Sequence, residues 1–161
     1  MKYEVECTAD VRIIKEVMCH EVLFKASMPD EDIELYKYGR WEPAMNCQYL
    51  VFKRLGKPVA IIRLFELSNI TVDMHVHLLP KYWGKGTSEK LNKYVEQWLT
   101  DNTKYCKIVI QTPQCCSNVL KAAVREGYEL EGMLTAGICW RGSIESIVLM
   151  AKHINRRENN G

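Results

Sequence analysis

Apolar side chains recur at helical spacing near the start of the chain, after a short polar opening segment. An N-cap at residues 8–10 precedes this stripe, so the pattern predicts an amphipathic helix that runs to about Phe24. Ser27 and Pro29 then introduce a second, shorter helix over residues 31–38, and acidic residues gather at its start as the helix dipole favours. The stripe of the first helix comprises Val11, Ile14, Val17, Met18, Val22 and Leu23.

From Cys47 onward the periodicity becomes that of β-strands. Apolar runs at 49–52 and 59–65 are joined by a turn at 55–58, which predicts a hairpin. Residues 70–79 follow with strict alternation, which predicts a long strand with two different faces. Val72, Met74, Val76 and Leu78 form the apolar face, and Asp73, His75, His77 and Leu79 form the opposite one.

The second half of the chain alternates between helical and strand patterns. We predict a helix over 87–100, a short buried strand at 107–111, a helix from 113–117 to Val124 that is closed by Gly127, and strands at 128–139 and 143–152. No repeat or linker interrupts this order. The chain therefore reads as a single domain, 1–161, with N-terminal helices in 1–40, a core in 47–152 and a frayed polar tail at 153–161.

Composition supports a single globular domain and argues against one class of partner. The chain has 161 residues, 47% of them hydrophobic, with 22 Lys and Arg against 20 Asp and Glu. A domain of this size buries enough surface to fold without disulfides or a structural metal. Because nucleic-acid affinity depends on a basic excess, the formal charge of +2 argues against nucleic acid as a partner.

The cysteines and the apolar runs predict a cytoplasmic protein. Seven cysteines without a CxxC spacing are typical of reduced thiols, and the polar opening segment lacks the apolar run of a signal peptide. The longest apolar stretch, 58–67, is interrupted by Arg63 and Glu66, which is too short and too polar for a membrane helix. We therefore expect free thiols and no membrane partner.

Residues 78–91 place two glycines and two lysines between a strand and the start of a helix. Backbone N–H groups at such a junction bind phosphate, and lysines add positive charge. A Walker loop fails here because Gly86, not Ser or Thr, follows Lys85 and because Leu79 stands at the upstream glycine position. A dinucleotide fingerprint fails because position 89 is Glu.

The six residues Lys81-Tyr-Trp-Gly84-Lys-Gly86 resemble the Arg/Gln-x-x-Gly-x-Gly/Ala loop of the GCN5-related N-acetyltransferases (GNATs), with Lys in place of Arg or Gln. Asp73 stands seven residues before Pro80, as in many members, and residues 126–134 and 140–150 look like the family's closing segment and last hairpin. The resemblance covers about 47–152. It implies an α/β (α+β) fold whose mixed, mostly antiparallel central sheet splays near the cofactor loop and is flanked by about four helices.

This resemblance implies acetyl-CoA as the cofactor. The backbone of Leu78 and Leu79 would bind the pantetheine arm. The pyrophosphate would lie against the loop residues and the first residue of the following helix, namely Lys81, Tyr82, Trp83, Gly84, Lys85, Gly86 and Thr87. Cys116 stands where the family commonly has Asn, and Asn118, two residues later, is included as a cofactor-binding candidate.

Proton transfer is expected from the polar face of the strand at 70–79. Asp73 and His75 are the candidates, because a histidine with a pKa near 6.5 suits a general base at neutral pH. The alternative is that these side chains only mark the strand face covered by the N-terminal helices. A metal site on the same residues lacks a fourth ligand, so no metal is expected.

The helix that precedes Gly127 departs from the family pattern. In the family a tyrosine often protonates the departing thiolate, and here Ala123 stands at its position. Cys116, beside Cys115 at a helix N-terminus, is a catalytic candidate because the dipole can lower a thiol pKa and permit an acyl-cysteine route. The alternative is that both cysteines only fill space.

These features predict an acetyl-CoA-dependent N-acetyltransferase that acts by direct attack of a primary amine on a small molecule or protein. The alternative is a non-catalytic protein of the same fold used for binding or assembly, because compact length and the absent tyrosine are similar to small acetyltransferase-like proteins of tailed phages. A thiol-dependent hydrolase that uses Cys116 is a third, weaker hypothesis. Exposed strand edges also favour a homodimer.

Overall fold

The computed structural model describes residues 3–84 and 86–154, which form one seven-stranded sheet with helices on both faces. The strands are β1 (Glu4–Thr8), β2 (Gln48–Arg54), β3 (Lys57–Ser68), β4 (Thr71–Leu78), β5 (Lys107–Pro113), β6 (Glu129–Trp140) and β7 (Ser143–His153). The α-helices in this part of the chain are α1 (Val11–Met18), α2 (Glu21–Ser27), α3 (Asp30–Lys37), α4 (Thr87–Asn102) and α5 (Ser117–Arg125).

The sheet has the order β1-β2-β3-β4-β5-β7-β6 and is antiparallel except between β4 and β5. These two parallel strands pair only where Thr71–Asp73 faces Lys107–Val109. Beyond that point both strands continue without pairing to each other, so the sheet opens into a V. The mixed α/β fold with a splayed sheet is therefore confirmed.

Two apolar layers cover the sheet. Val72, Met74 and Leu78 join the core that α4 and α5 cover, whereas Leu79 belongs to the core under α1 and α2. The predicted alternation along β4 is thus confirmed, and it leaves Asp73, His75 and His77 on the face of the N-terminal helices.

The N-terminal region differs from its predicted form in two ways. Strand β1 was missed because it is an edge strand with only Val5 packed against the core, which gives no apolar periodicity. The single predicted first helix is two helices, because His20 takes an extended backbone and caps α2. The count of about four helices is accordingly five α-helices within the described residues.

Three further features can be compared with the sequence analysis: the end of the core, the search for a membrane helix and the state of the cysteines. Strand β7 reaches His153, the first residue of the predicted tail, and positions 155–161 lie outside the described residues. Within 3–84 and 86–154, no helix combines the length and the apolar character needed to cross a bilayer. All seven cysteines are unpaired.

Candidate active site

A cleft of about 480 Å³ opens on the face of β3, β4 and β5 that carries Asp73 and His75. It lies where β4 and β5 separate, and the β6–β7 hairpin and the segment before β2 form its sides. Its volume falls in the usual range of small-molecule sites. The lining residues are Asn46, Phe65, Glu66, Leu67, Asp73, His75, Gln111, Pro113, Ile138 and Ile147.

Asp73, His75 and Gln111 form a hydrogen-bonded group at the base of the V. His75 Nε2 lies 3.1 Å from Asp73 Oδ2, and Gln111 Nε2 donates to the same oxygen at 2.7 Å. The second oxygen, Oδ1, is buried without a hydrogen-bond partner in the described residues. Two of the three predicted strand residues are thus brought together, joined by a glutamine from the neighbouring strand.

This arrangement determines what His75 can do. A carboxylate only accepts hydrogen bonds, so the nitrogen that faces Asp73 carries the proton and Nδ1 is left as a proton acceptor. The imidazole side chain is 28% exposed, whereas that of Asp73 is 6% exposed. The pair is therefore a buried carboxylate in contact with a solvent-accessible imidazole.

His77 has a different environment from its neighbours on the strand. Arg63 Nε donates to His77 Nε2 at 3.0 Å, and His77 Nδ1 lies 3.3 Å from Ser27 Oγ. Burial, followed by the positive charges of Arg63 and His75, holds the pKa of His77 well below its usual value. His77 is neutral and structural, and within the described residues no group of three potential ligands is placed to bind a metal ion.

The predicted cofactor loop contains two glycines whose backbone conformation other residues rarely adopt. Gly84 and Gly86 have φ values of 74° and 65°, in the left-handed region. A Cβ on Gly86 would come within 3.1 Å of Glu89 Oε2. The backbone at Gly84 is thus open to an approaching anion, whereas the Glu89 carboxylate lies close to Gly86.

The loop side chains have the following surroundings. Lys81 is exposed, with Nζ 5.0 Å from the centroid of the Tyr82 ring. Thr87 is the first residue of α4, and Gly86 caps that helix without a side chain to satisfy its orphan N–H groups. Lys85 lies outside the described residues. Exposed positive charge and a helix N-terminus without a side-chain cap therefore coincide here.

Hydrogen bonds around the end of β4 hold the predicted cofactor loop in place. Leu79 donates its N–H to Val59 O at 3.0 Å, and its carbonyl accepts from Tyr82 at 2.9 Å. Leu79 therefore supports the loop, and its contact with pantetheine stays a prediction. Trp83, predicted to contact pyrophosphate, donates its indole N–H to Leu78 O at 2.7 Å, so it also ties the loop to β4.

The start of α5 contradicts the predicted activation of Cys116. Burial, with a further contribution from neighbouring Cys115, raises the pKa of the Cys116 thiol to about 11, whereas a nucleophilic role needs a lowered value. Cys116 is not among the residues that line the cleft. Asn118 is exposed in the first turn of α5, and Ala123 is buried in the core.

Two residues of the site were not identified from the sequence. Gln111 ends an apolar strand and was assigned only a structural position. Arg63 interrupts an apolar run. A charged residue inside a central strand is unusual, and this could have marked Arg63 as a candidate site residue.

Comparison with known proteins gives one family and one fold. The model of the acetyltransferase (GNAT) family matches residues 16–124. A search of curated protein sequences finds no match. Among solved structures, spermidine N-acetyltransferase from Vibrio cholerae, in complex with CoA and spermine, is 16% identical with a TM-score of 0.74, and the alignment covers 96% of each chain.

Two other solved structures have the same fold. A GNAT superfamily phosphinothricin acetyltransferase from Sinorhizobium meliloti, in complex with AcCoA, is 17% identical with a TM-score of 0.69, covering 96% of this chain and 90% of that one. A GNAT family acetyltransferase from Elizabethkingia anophelis, with acetyl-CoA bound, is 16% identical with a TM-score of 0.69, covering 94% and 97%.

Proposed function

Because the chain belongs to the GNAT family of acetyltransferases, we propose that it transfers an acetyl group from acetyl-CoA to a primary amine of a small molecule or protein. The observation that carries this proposal is the Asp73–His75 pair in a cleft at the opening between β4 and β5. A base there can act on an amine next to a cofactor held in the V.

The residues around the V fit acetyl-CoA, the cofactor of this family. The edge of β4 beyond Asp73 has no β5 partner, so an extended arm can lie along it. Gly84, Gly86 and the first turn of α4 offer backbone N–H groups to a pyrophosphate, and exposed Lys81 supplies charge. When bound, acetyl-CoA supplies the activated acetyl group.

His75 is proposed to accept a proton from the attacking amine. An ammonium group must lose a proton before its nitrogen can attack, and Nδ1 of His75 is the unprotonated nitrogen once Nε2–H donates to Asp73. Asp73 and Gln111 hold the imidazole in that tautomer. We assign the proton for the departing thiol to water, because Ala123 has no acidic group and lies in the core.

Binding of acetyl-CoA tests the proposal most directly. Gly84 and Gly39 both have a positive φ and open space where a Cβ would lie, so glutamate strains the backbone similarly at either position. We expect calorimetry to detect acetyl-CoA binding by the unaltered protein and by Gly39→Glu, and to detect none by Gly84→Glu. Equal binding by both variants would place the cofactor elsewhere.

Turnover separates an enzyme from a protein that only binds. Primary amines from a panel are incubated with the protein and acetyl-CoA. Mass spectrometry should show N-acetylated products while acetyl-CoA is converted to CoA. Tight acetyl-CoA binding with no product from any amine would instead support the non-catalytic alternative.

A further inference from the structure

Arg63 is a largely buried cation beside the cleft. It lies directly across from His75 on the adjacent strand β3, on the same face of the sheet. Its guanidinium carbon is 5.6 Å from the centroid of the Phe65 ring, and Phe65 and His75, which both line the cleft, meet edge to face at 5.7 Å. One side of the cleft is therefore backed by a positive charge.

The hydrogen bonds of Arg63 are incomplete. Nε donates to His77, but within the described residues neither terminal amino group has a hydrogen-bond partner. No carboxylate in that part of the chain lies within 4.0 Å of the guanidinium, although Asp32 and Asp73 are close enough to act on it electrostatically. Within the described residues these amino groups are not among the buried unpartnered polar atoms, so they reach solvent, where a ligand carboxylate can pair with them.

Asp73 supplies the opposite charge across the same site. Arg63 and Asp73 are diagonal neighbours, because Arg63 pairs with His75 and Phe65 pairs with Asp73. Such positions lie about 7–8 Å apart, so one small ligand can contact both. The carboxylate of Asp73, which lines the cleft, matches an ammonium in charge, and the planar fork of Arg63 matches a carboxylate.

We propose that the acceptor is a small amino acid, whose carboxylate binds the terminal amino groups of Arg63 while its amine lies at Asp73 and His75. The apolar side chain of such a ligand would occupy the part of the cleft formed by Leu67, Ile138 and Ile147. This inference rests on the proposed acetyl transfer and adds the substrate class and a specificity-determining residue.

Matched pairs of acceptors that differ only in the carboxylate test this assignment. Suitable pairs are leucine with isopentylamine and phenylalanine with phenethylamine, with acetylated products measured by mass spectrometry at saturating acetyl-CoA. We expect kcat/KM to favour the amino acid by about tenfold or more, as expected for a hydrogen-bonded charge pair. Arg63→Met should reduce this preference to about onefold, and Arg63→Lys should give an intermediate value.

A control separates loss of the Arg63 charge from disturbance of the neighbouring His77. Ser27→Ala removes the hydrogen bond at the far end of His77 but keeps the guanidinium, so the preference for the amino acid should persist. Should Arg63→Met fail to fold, calorimetry of the unaltered protein with CoA decides the question. N-acetylleucine should then bind about tenfold more tightly than N-isopentylacetamide.

The outcomes distinguish the two proposals. Acetylation of the amines with equal or better kcat/KM than the amino acids, or a preference that survives Arg63→Met, overturns the assignment of Arg63 and leaves acetyl transfer standing. Failure of every acceptor to react overturns the proposed function, and the inference with it.

Discussion

At the scale of single residues, β3 and β4 show how one polar strand face serves two purposes. His77 accepts from Arg63, and its other nitrogen donates to Ser27, whose hydroxyl donates to Leu23 O at 2.8 Å. This chain of donors fixes one neutral tautomer and ties α2 to the sheet. Two residues earlier, His75 is oriented by a carboxylate and remains accessible.

The buried His77 should make stability depend on pH. Its folded pKa lies below the ordinary value of 6.5, so below about pH 6.5 the unfolded chain binds more protons and stability falls as the pH falls toward the folded pKa. We expect urea unfolding to show this loss between about pH 7.5 and about pH 5.5. His77→Gln should be less stable by about 1 kcal/mol or more at the higher pH, with a smaller pH slope.

Exposed His153, at the end of β7, provides the matched control for that measurement. His153→Gln should retain the pH slope of the unaltered protein. If His77→Gln kept the same slope as well, His77 would not be the group responsible.

The proposed base makes a separate kinetic prediction. His75→Gln removes the proton acceptor and should lower kcat/KM for amine acetylation by about a hundredfold or more at neutral pH. Asp73→Asn should also lower it, because an amide can stabilise the wrong tautomer of His75. Acetyl-CoA affinity should change little in His75→Gln, and a rate within about threefold of the unaltered protein would exclude His75 as the base.

Cys116 should react slowly despite its position at a helix N-terminus. Its raised pKa of about 11 leaves little thiolate at neutral pH. Peptide mapping after brief alkylation should show Cys116 modified more slowly than the exposed Cys7 and Cys139. An acetyl adduct on Cys116 after incubation with acetyl-CoA would contradict direct attack and revive the acyl-cysteine route.

At the scale of elements, one carboxylate joins the N-terminal helices to the β6–β7 turn. Asp30, the first residue of α3, accepts from the backbone N–H of Arg141 at 2.8 Å and from that of Gly142 at 2.7 Å. The β6–β7 turn is therefore held against the N-terminal helices. Part of the acidic cluster at the start of α3 is thus used in a structural contact.

Asp30→Asn should loosen this turn. An amide can accept only one of the two N–H bonds well, so we expect hydrogen exchange at Arg141 and Gly142 to accelerate by about tenfold. Glu31→Gln makes the same charge change one residue later, on an exposed side chain, and should leave the exchange rates unaltered. Equal rates in both variants would mean that Asp30 does not hold the turn.

The elements that could be predicted from the sequence are those with strong periodicity. Strand β4 is predicted by a long alternating pattern and helix α4 by a long helical pattern, and in both elements the apolar side of the pattern packs in the core. Strand β1 could not be predicted, because an exposed edge strand buries too little to leave a pattern. The break at His20 was missed because apolar spacing continues across it.

The candidate site was predictable only in part, for a similar reason. Asp73 and His75 are two residues apart on one strand, so local alternation places them together. Gln111 and Arg63 reach them from other strands, and that proximity depends on sheet order and register. Contacts between distant segments, such as that of Asp30 with the hairpin, leave no local pattern in a single sequence.

At the scale of the whole molecule, the V divides the sheet into two parts that share few backbone contacts. Three pairs of residues join β4 to β5, and side chains bridge the rest of the gap. Gln111 of β5 reaches Asp73 of β4 across it at 2.7 Å. The same opening leaves the edge of β4 that is proposed to hold the cofactor and the cleft that is proposed to hold the acceptor.

The free edge of the sheet at β6 leads to a last prediction, that the protein forms a homodimer. β6 ends the sheet, and its side chains Leu130, Met133 and Leu134 are 69%, 54% and 47% exposed. An apolar, unpaired edge favours pairing with a second copy, which can align antiparallel about a two-fold axis. Register shifts between Leu130 and Gly132 and between Leu134 and Ile138 divide this strand into short regular segments.

Sedimentation velocity at several protein concentrations measures this association. We expect a dimer that Leu134→Lys dissociates, because a charge on the edge strand opposes pairing. Val22→Lys adds the same charge to a comparably exposed position on α2 and should remain dimeric. A monomer at every concentration would show that the β6 edge stays unpaired, and dissociation by both variants would place the interface elsewhere.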